Sequence, residues 1–106
     1  MAIYNTAITA TSEGSAQLLA SGSGNRAITT IIVCNTSGAD KTLTLYAIPT
    51  PGTTASSANM IVKALTIPAG DTISFDQEKM VLATGDEVRA ICDASGLTAT
   101  VSILAV

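Results

Sequence analysis

Short segments in which apolar and polar residues alternate recur along this chain. Residues 41–48 (KTLTLYAI) and 97–106 (LTATVSILAV) show the alternation most clearly. Because successive side chains of a β-strand point to opposite faces, a period of two predicts half-buried strands. In the second segment the apolar set is expected to face a core: Leu97, Ala99, Val101 and Ile103.

The segment before residues 41–48 has a different pattern. Residues 26–35 (RAITTIIVCN) carry apolar side chains on both faces, which is typical of a central strand buried on both sides. Residues 36–40 contain Gly38 and have the length of a hairpin loop, so we expect the two strands to pair antiparallel. The alternation in 41–48 places Leu43, Leu45 and Ala47 inward, and Thr42, Thr44 and Tyr46 outward.

Two similar turns organise the second half of the chain. Residues 68–71 (PAGD) and 83–86 (ATGD) each end in a Gly-Asp pair that directly precedes a new alternating segment. Glycine tolerates the backbone angles of a tight turn, and an aspartate side chain can hydrogen-bond the turning backbone. Residues 59–67, before the first turn, predict a strand with Ile61, Leu65 and Ile67 on the face that also carries Lys63.

The spacing of these segments predicts the fold class. Eight to nine short strands follow one another at intervals of roughly 8–12 residues, without a helical segment of any length. We therefore expect an all-β protein, an antiparallel β-sandwich of jelly-roll-like type. Residues 1–106 fit a single domain, in which residues 1–11 form either an N-terminal arm or an edge strand.

Composition and charge exclude several classes of partner. Only 12% of residues are charged, the net charge is -3, and the five basic residues are scattered. A nucleic-acid-binding surface would need a basic stripe with stacking aromatic residues, so no nucleic acid is expected as a partner. The apolar run at 31–34 is far shorter than the roughly 20 residues of a membrane-spanning helix, so no membrane is expected either. The N-terminus does not resemble a secretory signal, which predicts a cytoplasmic origin.

The two cysteines, Cys34 and Cys92, both fall in predicted strands. Their separation invites comparison with the disulfide of immunoglobulin domains, but the chain has no tryptophan to pack on such a bridge, and Ala90 stands where a tyrosine corner needs Tyr. In a reducing compartment we expect two buried free thiols. The chain contains no histidine and no CxxC spacing, so no metal site is expected from these cysteines.

The acidic residues of the second half are the remaining candidates for chemistry. Asp71 and Asp86 occupy equivalent positions in the two turns, which turn geometry explains without a catalytic role. A calcium site at these acidic turns is an alternative, although no DxDxDG run is present. Without a histidine to act as base, serine or threonine nucleophiles have no evident partner. We predict no enzyme, no catalytic residue and no cofactor.

Several segments together resemble small β-sandwich virion proteins of tailed bacteriophages. The matching features are a central strand ending in Cys-Asn-Thr-Ser, a Thr-Leu-Thr-Leu segment, an Ile-Pro-Ala-Gly-Asp-Thr turn and a late Gly-Asp-Glu-Val-Arg-Ala strand. The resemblance covers residue 27 to the C-terminus. It implies a non-enzymatic structural protein located in the virion, most of all a capsid decoration or cement protein that bridges major capsid subunits as a homotrimer and is assembled in the host cytoplasm.

The resemblance leaves alternatives open. A tail or tail-fibre component, or a receptor- or carbohydrate-binding module, would share the same fold. The expected partners are other copies of this chain, the major capsid protein or other virion proteins. The candidate interface comprises the N-terminal strand and a Pro- and Thr-rich loop: Ala2, Ile3, Tyr4, Pro49, Pro51, Thr53 and Thr54.

Overall fold

The described residues form nine β-strands and one short 3-10 turn. The computed structural model describes residues 2–22, 24–50, 54–75 and 80–105. The strands are β1 (Ala2–Ile8), β2 (Gln17–Ser21), β3 (Arg26–Asn35), β4 (Lys41–Ile48), β5 (Met60–Ile67), β6 (Thr72–Phe75), β7 (Met80–Leu82), β8 (Glu87–Cys92) and β9 (Leu97–Ala105), and the 3-10 turn is Glu13–Ser15.

The strands form two antiparallel sheets that pack face to face. Sheet A has the order β1-β9-β3-β6, with β7 also paired to β3, and sheet B has the order β2-β8-β4-β5. The first and last strands are therefore neighbours, and consecutive strands mostly change sheet, which is the strand order of a jelly roll. The predicted all-β sandwich is confirmed.

The core lies between the sheets and consists of one continuous cluster of inward side chains. The four residues predicted to face the core from β9, Leu97, Ala99, Val101 and Ile103, are all buried. They pack with inward residues of the other strands, among them Ile8, Ile28, Ile31, Val33, Leu43, Leu45, Ile67 and Val88. Alternation along β9 therefore predicted its packing correctly, because one face of this strand meets only apolar neighbours.

The predicted pairing of β3 with β4 is wrong. β3 lies in sheet A between β9 and the β6 and β7 strands, whereas β4 lies in sheet B between β8 and β5. Residues 36–40 form an arch between the sheets, and the apolar residues of both strands face each other across the core. A five-residue loop fits either a hairpin or an arch, so the pattern of the flanking strands does not distinguish them.

A buried asparagine holds this arch. The side-chain amide of Asn35 donates to the carbonyl oxygens of Ala39 and Ile67, both at 2.8 Å, and its Oδ1 accepts from the Ser37 N–H at 3.0 Å and from the Ser37 hydroxyl at 2.7 Å. Ile67 belongs to sheet B, so Asn35 joins the two sheets by hydrogen bonds. All polar atoms of the buried side chain are satisfied, as burial requires.

β3 is central, as predicted, but it is not buried on both faces. Ile28, Ile31 and Val33 point into the core, whereas Ile32 remains 37% exposed on the outer side of sheet A. Apolar residues on both faces of a strand predict burial on both sides, but no other element covers the outer side among the described residues.

A bulge changes the facing of residues in β5. The pairing of β4 with β5 shifts register between Leu43 and Leu45, and Ala64 opposite this point has a positive φ of 50°. Ile67 is buried as predicted, but Ile61 and Leu65 are 49% and 39% exposed. Val62 lies opposite the buried Leu45 and Leu65 opposite the buried Leu43, so both point to the core side. The prediction that they lie on opposite faces was wrong because an extra residue in β5 interrupts the period of two. Leu65 is nevertheless exposed because β5 is the edge strand of sheet B.

The two Gly-Asp turns have the predicted form. The N–H of Asp71 donates to the carbonyl of Pro68 at 3.0 Å, and the N–H of Asp86 donates to the carbonyl of Ala83 at 3.0 Å. Each turn has its glycine at the third position with a positive φ, 77° at Gly70 and 92° at Gly85. Such angles favour glycine, so both turns follow from residue type.

Candidate interface on the outer face of sheet A

The outer face of sheet A carries no charged side chain among the described residues. Strand pairing and alternation define this face, which we call the bare face: Ile3, Asn5, Ala7, Ala27, Thr30, Ile32, Cys34, Thr72, Ser74, Val81, Thr98, Thr100, Ser102 and Leu104. Apolar side chains alternate there with hydroxyl groups. In a chain of net charge -3, every charge of the described residues therefore lies elsewhere.

Several large apolar side chains of the bare face are exposed. Ile3 is 68% exposed and Val81 64%, and Ile32 and Leu104 are exposed to lesser degrees. Single exposed apolar residues are ordinary, but a sheet face without charges has the composition found at the centre of protein interfaces. No other described element packs over it, so the bare face is the candidate site for a protein partner.

The outer side of sheet B is different because two segments cover it. Residues 12–16, which include the 3-10 turn, and residues 54–59 pack over β4 and β8, and we call this side the covered face. The buried residues form a second small cluster: Ala16, Tyr46, Ile48 and Ala55, with Met60 and Ile91 against it. Tyr46 points away from the main core as predicted, but it is fully buried rather than exposed.

Polar contacts fix the first covering segment to the sheet. The Tyr46 hydroxyl donates to Glu13 Oε2 at 2.9 Å, and Arg89 Nη1 donates to the Ala16 carbonyl at 2.8 Å. Arg89 Nε also pairs with Glu87 Oε1 at 2.7 Å. Burial of the ring, together with the hydrogen bond and the negative charge of Glu13, raises the pKa of Tyr46 to about 12. The charges of this region are thus engaged in holding the cover.

The N-terminal part of the predicted interface is an edge strand of sheet A. Ala2 pairs with Ile103, and Ile3 points outward onto the bare face. Tyr4 points to the other side and is 43% exposed, where it lines a cleft of about 240 Å³ between β1 and β2 together with Leu18 and Arg26. Of the predicted residues Ala2, Ile3 and Tyr4, Ile3 is the one whose described side chain lies on the bare face.

The loop part of the predicted interface lies at the end of the sandwich. Pro49 borders a shallow cleft of about 340 Å³ that Val81 also lines, so it adjoins the rim of the bare face. Thr54 belongs to the covering segment, where its carbonyl accepts from the side-chain amide of Asn59 at 3.0 Å. Pro51 and Thr53 lie outside the described residues. The described loop residues, Pro49 and Thr54, therefore do not form one surface with β1.

The Asp86 carboxylate holds the start of this loop by hydrogen bonds. It accepts from the Thr50 N–H at 2.8 Å, the Thr50 hydroxyl at 3.0 Å and the Ala83 N–H at 2.9 Å. These bonds, led by the one from the Thr50 backbone, hold the pKa of Asp86 below its usual value. Asp93 has a lowered pKa for the same reason, because it accepts from the Thr42 N–H. Both carboxylates therefore have structural partners.

The two cysteines are free, but only one has the predicted burial. Cys92 is buried in the core, where its thiol lies 3.4 Å from the Ile8 carbonyl, and burial is the main reason its pKa is raised. Cys34 is half-buried on the bare face, between Thr72 and Thr98 of the neighbouring strands. The prediction of two buried thiols is thus confirmed for Cys92 and wrong for Cys34, because outward positions of β3 are not covered.

Within the described ranges, no group of three or more His, Cys, Asp or Glu side chains is arranged to hold a metal ion. Of the three aromatic residues, Tyr46 is buried and Phe75 packs against the core, which leaves Tyr4 as the exposed one. The described part of the chain has no helix with the length and hydropathy needed to cross a membrane. The sequence pattern alone does not predict the bare face, although the alternating Thr and Ser residues of β9 belong to it.

No protein-family model, curated protein sequence or solved structure significantly matches this chain.

Proposed function

We infer that this chain is a non-enzymatic structural protein of a tailed-phage virion, a decoration or cement protein whose bare face binds the capsid shell. One observation supports the proposal above all. The bare face has no charged side chain among the described residues, and it exposes Ile3, Ile32 and Val81. The resemblance of residue 27 to the C-terminus to small virion β-sandwiches supplies the biological setting.

An uncharged face suits a permanent contact with another protein. Burying a charge costs free energy unless a partner neutralises it, whereas hydroxyl groups and apolar side chains are desolvated at a smaller cost. The charges on the rest of the molecule, net -3 over the whole chain, keep the free protein soluble before it binds. The expected partner surface is therefore also poor in charge, and it belongs to the major capsid protein.

Repetition over a shell strengthens such a contact. When a small protein bridges several identical subunits, the first contact raises the effective concentration for the second. The overall affinity for the shell therefore exceeds the affinity of any single contact. A shell reinforced in this way resists the outward pressure of packaged DNA. The homotrimer implied by the resemblance remains a prediction, as does its alternative, a position in the tail or tail fibre.

Cosedimentation with DNA-filled heads of the phage that encodes this chain tests the proposal. We expect the wild-type protein to pellet with the heads. Val81→Glu places a carboxylate on the bare face at a position that is 64% exposed, and it should weaken binding at least about tenfold because the charge must be desolvated. Thr66→Glu, at an exposed position of β5 in sheet B, is the matched control and should bind like wild type.

The Cys34 thiol provides a second readout in the same experiment. Maleimide should modify Cys34 in the free protein and much more slowly when heads cover the bare face. If Val81→Glu binds as tightly as Thr66→Glu and Cys34 stays equally reactive on heads, the bare face is not the shell contact. Binding to tails but not heads would replace decoration by the tail alternative.

A further inference from the structure

The described strands leave four free sheet edges, which differ in how they are protected from pairing with another chain. Natural edges are guarded by charged residues, proline, bulges or short length. β5 has register shifts, Lys63 and the positive φ of Ala64, and Pro68 follows it. β2 has five residues and a register shift between Leu18 and Ala20, and β6 and β7 have four and three residues. Three of the four edges are therefore protected from pairing with another chain.

β1 has none of these protections. Its seven residues, AIYNTAI, contain no charge, proline or glycine, and all seven pair with β9 in one unbroken register. From Ile3 to Ala7, no described residue forms a hydrogen bond with the main chain on the outer edge of the strand. Exposed N–H and C=O groups in a straight, uncharged row are a template for a further strand.

The residues of β1 are also compatible with pairing to themselves. In an antiparallel pair centred on Asn5, Ile3 faces Ala7 of the second copy and Tyr4 faces Thr6. Outward residues then stay outward in both copies, so the two bare faces join into one surface. No like charges meet across the axis, because β1 has none.

Asn5 has the donor and the acceptor that a two-fold axis needs. Its Oδ1 accepts from the Thr100 hydroxyl at 2.9 Å, and this assignment leaves the Nδ2 hydrogens as donors without a described partner. Directly opposite residues of an antiparallel pair have Cβ atoms about 5 Å apart. Two Asn5 side chains at this distance can each donate to the other.

We propose that β1 pairs antiparallel with β1 of a second copy about a two-fold axis at Asn5, which joins two A sheets into one. Seven paired residues span about 23 Å at roughly 3.3 Å per residue. Such an edge contact is small beside the roughly 800 Å² per partner of a stable complex, so we expect a weak dimer whose population rises with protein concentration. The proposal stands independently of shell binding.

Sedimentation equilibrium over a hundredfold range of protein concentration tests the dimer. Asn5→Asp and Asn5→Lys each place like charges opposite one another, so each variant alone should dimerise at least about tenfold more weakly at low salt. An equimolar mixture should recover dimers, seen as the mixed species by native mass spectrometry. Thr66→Asp and Thr66→Lys, on β5, are matched controls and should dimerise like wild type.

Hydrogen exchange on the wild-type protein provides a readout that needs no substitution. Main-chain amides of β1 that point to the free edge should become protected as the concentration rises, while those of β5 should not change. A trimer, which is the state that the resemblance implies, would overturn the two-fold pairing, and so would a monomer at all concentrations or a dimer that the Asn5 charges leave intact. None of these results affects the cosedimentation test, so the two proposals fail separately.

Discussion

Both outer faces of the sandwich carry large apolar side chains, but other described segments of the chain cover them on only one face. The covered face of sheet B buries Tyr46 and Ile48 under two segments of its own chain, and Glu13 and Arg89 hold one of those segments in place. The bare face of sheet A has no such cover among the described residues. An apolar side chain on the first face therefore contributes to folding, whereas one on the second is available to a partner.

The largest expected difference between the faces is in stability. Tyr46→Ala removes a fully buried aromatic ring from the covered face and should lower the free energy of unfolding by about 3–5 kcal/mol. Val81→Ala, on the bare face, should cost less than about 1 kcal/mol. Urea unfolding of both variants measures the difference. Equal losses would mean that the cover does not stabilise the fold.

The reaction rates of the Cys34 and Cys92 thiols measure how accessible the bare face is relative to the core. Native Cys34 should react with maleimide at least about a hundredfold faster than Cys92, because the buried thiol must wait for the structure to open. Burial also raises the pKa of Cys92, which lowers its thiolate fraction. Mass spectrometry of the labelled peptides follows both sites in one sample. In urea the rates should converge, and similar rates without urea would show that Cys34 is covered.

Tyr46→Phe removes the hydroxyl and leaves the ring. The bond to the Glu13 carboxylate is charge-assisted, so its loss should cost about 1–2 kcal/mol at neutral pH. The folded pKa of about 12 exceeds the unfolded value of 10.0, so the native state holds this proton more tightly. This contribution is present below pH 10 and is lost as the pH rises toward 12. Denaturant titrations between pH 10 and pH 12 should show that the free energy of unfolding falls less for Tyr46→Phe than for the wild-type protein.

The smallest effect is expected for Ile3→Thr. Ile3 is 68% exposed on the bare face, and threonine keeps the β-branch, so the free energy of unfolding should change by less than about 0.5 kcal/mol. The same urea titration provides the value. A loss above about 1 kcal/mol would indicate that Ile3 is packed in solution, and repeating the titration at lower protein concentration would tell whether a second copy packs on it.

The sequence predicted the strands better than the contacts between them. Alternation in β9 and the Gly-Asp turns at Gly70 and Gly85 depend on neighbours in the chain, and both were predicted correctly. The strands that pair with β3 are β6, β7 and β9, and the arch after β3 is held by a hydrogen bond from Asn35 to the Ile67 carbonyl, 32 positions away. Local pattern carries no information about such a contact.

The candidate interface also depends on contacts between distant residues, which the local sequence pattern does not predict. Tyr46 and Ile32 both occupy outward positions of strands, and nothing in their immediate sequence tells that the first is covered and the second exposed. The difference arises because residues 54–59 and 12–16 return over sheet B. The N-terminal strand predicts Ile3 as an interface residue, but its position beside Ser102 on the bare face follows only from the pairing of β1 with β9.

The pairing of β1 with β9 also determines when the fold can be completed. Ala2 lies opposite Ile103, so β1 is synthesised long before the strand with which it pairs. Because closing so long a loop costs entropy before any contact offsets it, we expect sheet A to form late and the chain to fold slowly. Until β9 leaves the ribosome, both edges of β1 are open, and that interval is when chains growing side by side are most exposed to pairing with the wrong partner.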